Sequence, residues 1–490
     1  MFTLAVSKSI NDKSAPFTIA SYYQDNMVLQ REPYNAIIWG YAQTNSIVST
    51  VLRGKIFNTT AVKVSWSTNY IWTLKLDPMP ASDVPTNIQL TETRPDGKSS
   101  LTIKNVLFGD VWICSGQSNM EMSLLETFNG SDEANKSGKY DKIRIMTVAP
   151  VSSPVPVYDL IKIEQNWSVS SAASLGNYFS ATCWYFGKSL NEDLNIPIGL
   201  IETTWGGTNI EKWSTLEVIS SCGAPKNPSD SSLWNSMINP LLKLTIFGAV
   251  WYQGEANSDY NRDFYNCTFP GMIDDWRKNW YISSNQSTNP VFPFGFVQLA
   301  NYDVETQSVG YYPALRWHQT ADYGYTPNDK LINVFMATAV DLVDNYPNTI
   351  HPRYKEDVGK RLALGALNLA YNKDVEYYPP RVSKITYANS VATILFISNY
   401  NPVSFNVVNK NGLEICCNND LCPVDNLELW QKINDFNVTQ DKLSFEIPSY
   451  CEKIKIVRYL WRQKPCEFKQ CAIYSSNSSL PVYPFWYEEV

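Results

Sequence analysis

The stretch Val111–Met122, VWICSGQSNMEM, constrains this chain more than any other. Val106, Leu107 and Phe108, followed by Val111, Trp112 and Ile113, read as a buried strand. Gly116 then permits a sharp bend that a residue with a Cβ resists, and Ser118 sits just beyond it. A serine on the turn that closes a rigid strand is presented as a nucleophile must be. An ordinary polar turn can carry the same letters, so the neighbouring segments have to decide.

Those segments alternate. Cys183–Asn195 predicts a helix, and Ile198–Ile201 a strand running into Trp205-Gly206-Gly207-Thr208. Leu244–Tyr252 predicts a second strand, opening into Gln253-Gly254-Glu255-Ala256-Asn257. Phe294–Leu299 and Leu331–Val340 are two more, and Tyr354–Tyr371 is a helix with Val358, Leu362, Ala366 and Ala370 on one face. This alternation is the pattern of an α/β domain, a parallel sheet covered by helices on both faces. Ligands bind at the carboxyl ends of such strands, so the polar clusters at those ends converge. The expected division is an N-terminal segment over 1–16, a β-sandwich-like region over 17–105, the α/β domain over 106–372 and a second β-rich region over 373–490.

At 490 residues, with 44% hydrophobic and 18% charged residues, the chain is globular and has room for two to four domains. No apolar run approaches the roughly 20 residues of a membrane span. A net charge of −7 offers no basic surface for a phosphate backbone and argues against a nucleic-acid partner.

Two signals point to the secretory pathway. Asn58, Asn129, Asn135, Asn166, Asn266, Asn285, Asn437 and Asn477 each begin an N-x-S/T acceptor. Six of the ten cysteines (Cys416, Cys417, Cys422, Cys451, Cys466 and Cys471) crowd the C-terminal region, as disulfides do. Zinc is the competing use, but the adjacent Cys416-Cys417 pair and the irregular spacing do not form the paired C-x₂-C pattern. The first residues, MFTLAVSKSINDKS, lack a basic start and a long apolar core, so no signal peptide is evident.

A serine hydroxyl needs a base, and the chain has only His318 and His351. His351 falls in a predicted strand-end loop before the Tyr354 helix, whereas His318, in Arg316-Trp317-His318-Gln319, reads as part of a packed segment. His351 is the expected base. Oxyanion donors are expected from the backbone of Ser118, Gly206 or Gly207 and from the side-chain amides of Gln253 or Asn257. This chemistry calls for no metal and no cofactor.

Taken together, Val28-Leu29-Gln30, Gly109-Asp110-Val111-Trp112, Ser115-Gly116-Gln117-Ser118-Asn119-Met120, Trp205-Gly206-Gly207-Thr208, Trp251-Tyr252-Gln253-Gly254-Glu255, Ile350-His351-Pro352-Arg353, Asn266-Cys267-Thr268-Phe269-Pro270 and the tail Pro465–Cys471 resemble the animal sialate O-acetylesterases. The resemblance runs from about Phe17 to the end. It implies an SGNH-type three-layer α/β/α serine esterase, removal of acetyl groups from sialic acid hydroxyls, and a lysosomal or extracellular location. Many SGNH hydrolases place an acid three residues before the histidine, where this chain has Asn348. Glu255 is the expected acid by resemblance to related carbohydrate esterases, with Asp341, Asp344 or a backbone carbonyl as rivals. Trp205, Trp213 and Arg316 are the expected substrate contacts, an arginine suiting the sialic acid carboxylate. Two other functions stay open: an acetylesterase for another carbohydrate such as xylan, and a non-catalytic glycan-binding relative. Oligomeric state is not legible.

Overall fold

The computed structural model describes residues 17–176, 178–302, 311–346, 349–400, 402–417, 422 and 429–488. The expected N-terminal segment, 1–16, and Asn348 lie outside them.

One 20-residue strand, Gly97–Gly116, organises the molecule. Its first half alternates exposed and covered residues and pairs antiparallel with Ser82–Arg94, from Arg94↔Gly97 to Thr86↔Val106. Its second half is buried throughout, as a strand covered on both faces must be. There it pairs in parallel with Val28–Gln30, Ile198–Thr204 and Gly248–Tyr252. The boundary expected between 105 and 106 falls inside this strand.

The central sheet runs in the order 163–169, 143–148, 198–204, 97–116, 248–252, 294–298 and 334–338. The first pair is antiparallel and every other pair parallel. After Gly116 the chain runs to 143–148 and the edge strand 163–169, then returns to lay 198–204 against the central strand. It next crosses to build 248–252, 294–298 and 334–338 outward on the other side, so the switch point lies at the carboxyl end of this strand. Ser118 stands there. Helices cover both faces. Gly365 of the helix Lys355–Leu369 packs on Phe335, while Phe269 and Trp276 of the helix Tyr265–Ser283 pack on Phe294 and Phe296. Phe335 pairs with Gly295, so its side chain points away from the face that Phe294 and Phe296 fill.

The N-terminal region adds a four-stranded sheet of Thr18–Ile19, Ile37–Ala42, Tyr70–Lys75 and Val62–Lys63. The C-terminal region has its own core, including Ile394, Phe396, Ile415, Leu443, Phe445 and Val457. All ten cysteines form disulfides: Cys114–Cys183, Cys222–Cys267, Cys416–Cys422, Cys417–Cys451 and Cys466–Cys471. This pairing leaves no thiolate for zinc. Seven of the eight acceptor asparagines are exposed. The eighth, Asn266, is half-buried in a helix with its amide on Asp322 at 2.5 Å. No helix among the described residues is long and apolar enough to cross a membrane.

Candidate active site

The turn after Gly116 follows from close backbone contact. Gly116 has φ of +144°, and a Cβ on it would meet the Tyr252 carbonyl at 2.1 Å. Gln117 N–H then donates to that same carbonyl at 3.0 Å, fixing the turn against the neighbouring strand. Ser118 follows as the first residue of a single helical turn, Ser118–Glu121.

Across the strand ends, His351 Nε2 lies 2.7 Å from Ser118 Oγ. The two residues line a cavity of about 290 Å³ with Glu121, Met122 and Glu126. Burial of the imidazole and the nearby Lys355 cation hold the His351 pKa below its ordinary value, against the pull of Glu126. His318 lies elsewhere, its Nδ1 2.6 Å from Asp322, in a separate cavity beside Trp317, Trp461 and Trp486.

Three carboxylates were expected as partners of His351, and each is held by another residue. Glu255 Oε1 accepts from Asn119 Nδ2 at 2.5 Å, and its buried Oε2 has no partner among the described residues. Asp341 forms a buried two-pronged pair with Arg361 at 2.6 and 3.0 Å. Asp344 holds Arg353 in the same way, at 2.7 and 3.0 Å, and so braces the loop that carries His351. The acid expected to touch the ring is therefore tied to the residue after the nucleophile. Asn119 is the hub: its amide nitrogen also donates to the Ile350 carbonyl at 2.8 Å, and its oxygen accepts from Lys355 Nζ at 2.5 Å. Burial pushes the Lys355 ammonium down to about 7 and pushes the Glu255 carboxyl up.

The expected oxyanion donors divide. Gly206 N–H donates to Glu121 Oε2 at 2.7 Å. Both amide hydrogens of Gln253 are committed, to Thr208 O at 3.1 Å and Asn257 Oδ1 at 2.8 Å. Those of Asn257 go to Glu211 and to Tyr260 O, each at 3.1 Å. These three donors brace the strand ends and are not free to meet a substrate oxygen. The N–H groups of Ser118 and Gly207 have no partner among the described residues, and Gly207, at φ +70°, faces open space.

Two expected substrate contacts are corrected. Arg316 is fully buried and donates to the carbonyls of Leu299, Ala300, Arg462 and Gln463, so it ties the α/β domain to the C-terminal region. Trp213 is also fully buried, with its indole N–H on Thr208 Oγ1 at 2.9 Å and its ring against Trp251. Trp205 is half-buried and lines a cavity with Lys212. Sequence reading missed Asn119, Glu121, Glu126 and Lys355. Adjacency to Ser118 was the one available signal, for Asn119; nothing in a sequence marks a lysine as buried.

Residues 108–367 match the family model described as carbohydrate esterase, sialic acid-specific acetylesterase, and residues 383–489 match the sialate O-acetylesterase C-terminal domain. The chain is a member of the sialate O-acetylesterase family. The human sialate O-acetylesterase is 39% identical across 97% of this chain and 93% of its own length. The mouse protein of that name is 36% identical across 98% and 96%. A crystal structure of a carbohydrate acetylesterase from Xanthomonas citri superimposes with a TM-score of 0.80 at 26% identity, covering 96% of this chain and all of that one. Family membership accounts for the α/β sheet and the β-rich C-terminal region together, since the family models cover both.

Proposed function

We propose that this sialate O-acetylesterase relative hydrolyses O-acetyl esters of sialic acids with Ser118 as nucleophile and His351 as general base and acid. The 2.7 Å contact between Ser118 Oγ and His351 Nε2 at the sheet's switch point carries the reading. Ser118 Oγ attacks the acetyl carbonyl while its proton passes to Nε2. The N–H groups of Ser118 and Gly207 receive the developing oxyanion. The C–O bond to the sugar breaks, and the imidazolium returns its proton to the departing hydroxyl. Water, deprotonated by His351, then attacks the acetyl-serine and releases acetate. Glu255 acts at one remove, holding Asn119 and through it the Ser118 turn and the Ile350 carbonyl.

The test is acetate release from an O-acetylated sialic acid beside acetylated xylan. Turnover of the former with little of the latter supports the reading, while the reverse preference replaces it with esterase action on another polysaccharide. A chain that binds glycans but is not labelled at Ser118 by a fluorophosphonate would be a non-catalytic relative. The five disulfides and the exposed acceptor asparagines support a lysosomal or extracellular location. Glycosidase-sensitive mobility of the cellular protein would check that.

A further inference from the structure

A sialic acid carries one negative charge, and with Arg316 buried its recognition needs another cation. The cavities around Ser118 differ sharply in charge. The Ser118 cavity shares Glu121 and Glu126 with a neighbour of about 350 Å³, to which Glu164 and Glu202 also contribute. Four carboxyl groups line this side, of which burial holds Glu202 neutral near pH 7 and leaves Glu121, Glu126 and Glu164 to set its charge, and no lysine or arginine does. A substrate carboxylate is repelled there, whereas sugar hydroxyls find acceptors.

Gly206 borders both Glu121, to which its N–H donates at 2.7 Å, and Ser118, whose Cβ a Cβ on Gly206 would meet at 3.3 Å. Trp205, whose N–H donates to Gly116 O at 3.1 Å, opens into a cavity of about 270 Å³. Lys212 is the one lysine or arginine lining it, or any of these three cavities. Its Nζ lies 3.1 Å from Ser229 Oγ, and it has no salt bridge among the described residues. Asp230 feels its charge without closing an ion pair. The rest of the lining, with Ser152, Ser232 and Trp205, places hydroxyls beside an aromatic side chain, the combination that a sugar ring and its polar substituents require.

We propose that Lys212, in the cavity beside Trp205, receives the substrate carboxylate and thereby sets which edge of the acidic sugar faces Ser118. The proposal rests on the sialic acid reading above. The charge asymmetry reinforces it, since the acidic cavity and Lys212 act on the same carboxylate in the same sense.

The experiment compares acetate release from an O-acetylated sialic acid and from its methyl ester, in wild type, Lys212→Met and Lys212→Arg, with 4-nitrophenyl acetate reporting an intact nucleophile. Wild type is expected to favour the free acid over the methyl ester by tenfold or more in kcat/KM. Lys212→Met is expected to bring that ratio close to one, mainly through KM, and Lys212→Arg to keep most of it. A wild-type ratio near one, or a Lys212→Met ratio equal to wild type, overturns the proposal. Wild type that cleaves 4-nitrophenyl acetate but neither sugar overturns the sialic acid reading itself.

Discussion

Asn119 Nδ2 meets Glu255 Oε1 at 2.5 Å, and the same amide nitrogen reaches the Ile350 carbonyl next to His351. One side chain therefore sets the spacing between the nucleophile's turn and the base's loop. Removing it should cost more than removing a surface amide. Asn119→Ala leaves Glu255 and Lys355 buried without their shared partner, a loss on the order of 3 kcal/mol or more. Chemical denaturation checks this, and a wild-type midpoint would refute it. Glu255→Gln keeps an acceptor for Asn119, so its activity is expected to fall far less than that of His351→Ala.

Ser118→Ala and His351→Ala should each lower turnover of 4-nitrophenyl acetate by at least 10²-fold, the scale of a lost nucleophile or general base. Thermal melts should stay near wild type, since neither side chain is fully buried. His318→Asn should retain wild-type turnover, because its ring faces Asp322 in a separate cavity.

The pH dependence has a definite sign. Neutral His351 is the base, so kcat/KM is present above its pKa and lost as pH falls through it. Burial and Lys355 hold that pKa below the ordinary 6.5, placing the acid limb on the acidic side of that value. Glu126 opposes them, so Glu126→Gln should move the limb to still lower pH while preserving the cap on Ser123. A limb at or above 6.5 in wild type, or one that rises in Glu126→Gln, contradicts this arrangement.

Glu202 gives a stability test. Burial raises its carboxyl to about 8, above its unfolded value, despite donors from Ser180, Thr204 and Thr147. Its contribution is fully present below the unfolded pKa and lost as pH rises through about 8. Glu202→Gln mimics the neutral acid, so its melting temperature should fall less than wild type's between pH 5 and roughly 9. Parallel curves would show that Glu202 does not titrate with folding.

Cys114 lies on the nucleophile's strand and Cys183 on the helix Ala181–Leu194 that covers it, closing a loop across 69 residues. Replacing both with alanine should lower stability by about 4 kcal/mol if loop closure dominates. Equilibrium unfolding of the double variant measures it.

The elements written in periodic apolar residues were legible. The strand at Ile198 and the helices near Cys183 and Tyr354 fall within a few residues of expectation, because burial on one or both faces imposes a pattern. The helix Tyr265–Ser283 escaped notice, since Pro270 interrupts the pattern from inside it. At the site, Ser118 and His351 stood out by scarcity and by turn chemistry. Partners did not: Arg316, Glu255 and Lys355 are decided by what lies opposite them after folding, and a buried arginine bound to carbonyls reads in sequence like one waiting for a ligand.

The strand Gly97–Gly116 belongs to two sheets' worth of pairing, antiparallel in its first half and parallel in its second. Trimming the chain at residue 106 would therefore cut a beam rather than a hinge. The shortened catalytic half would lose Val28–Gln30 and Ser82–Arg94, leaving raw backbone beside the nucleophile's strand as a template for self-association. The N-terminal region thus covers the backbone of residues 107–109 on the nucleophile's own strand, and the esterase half without it is expected to self-associate.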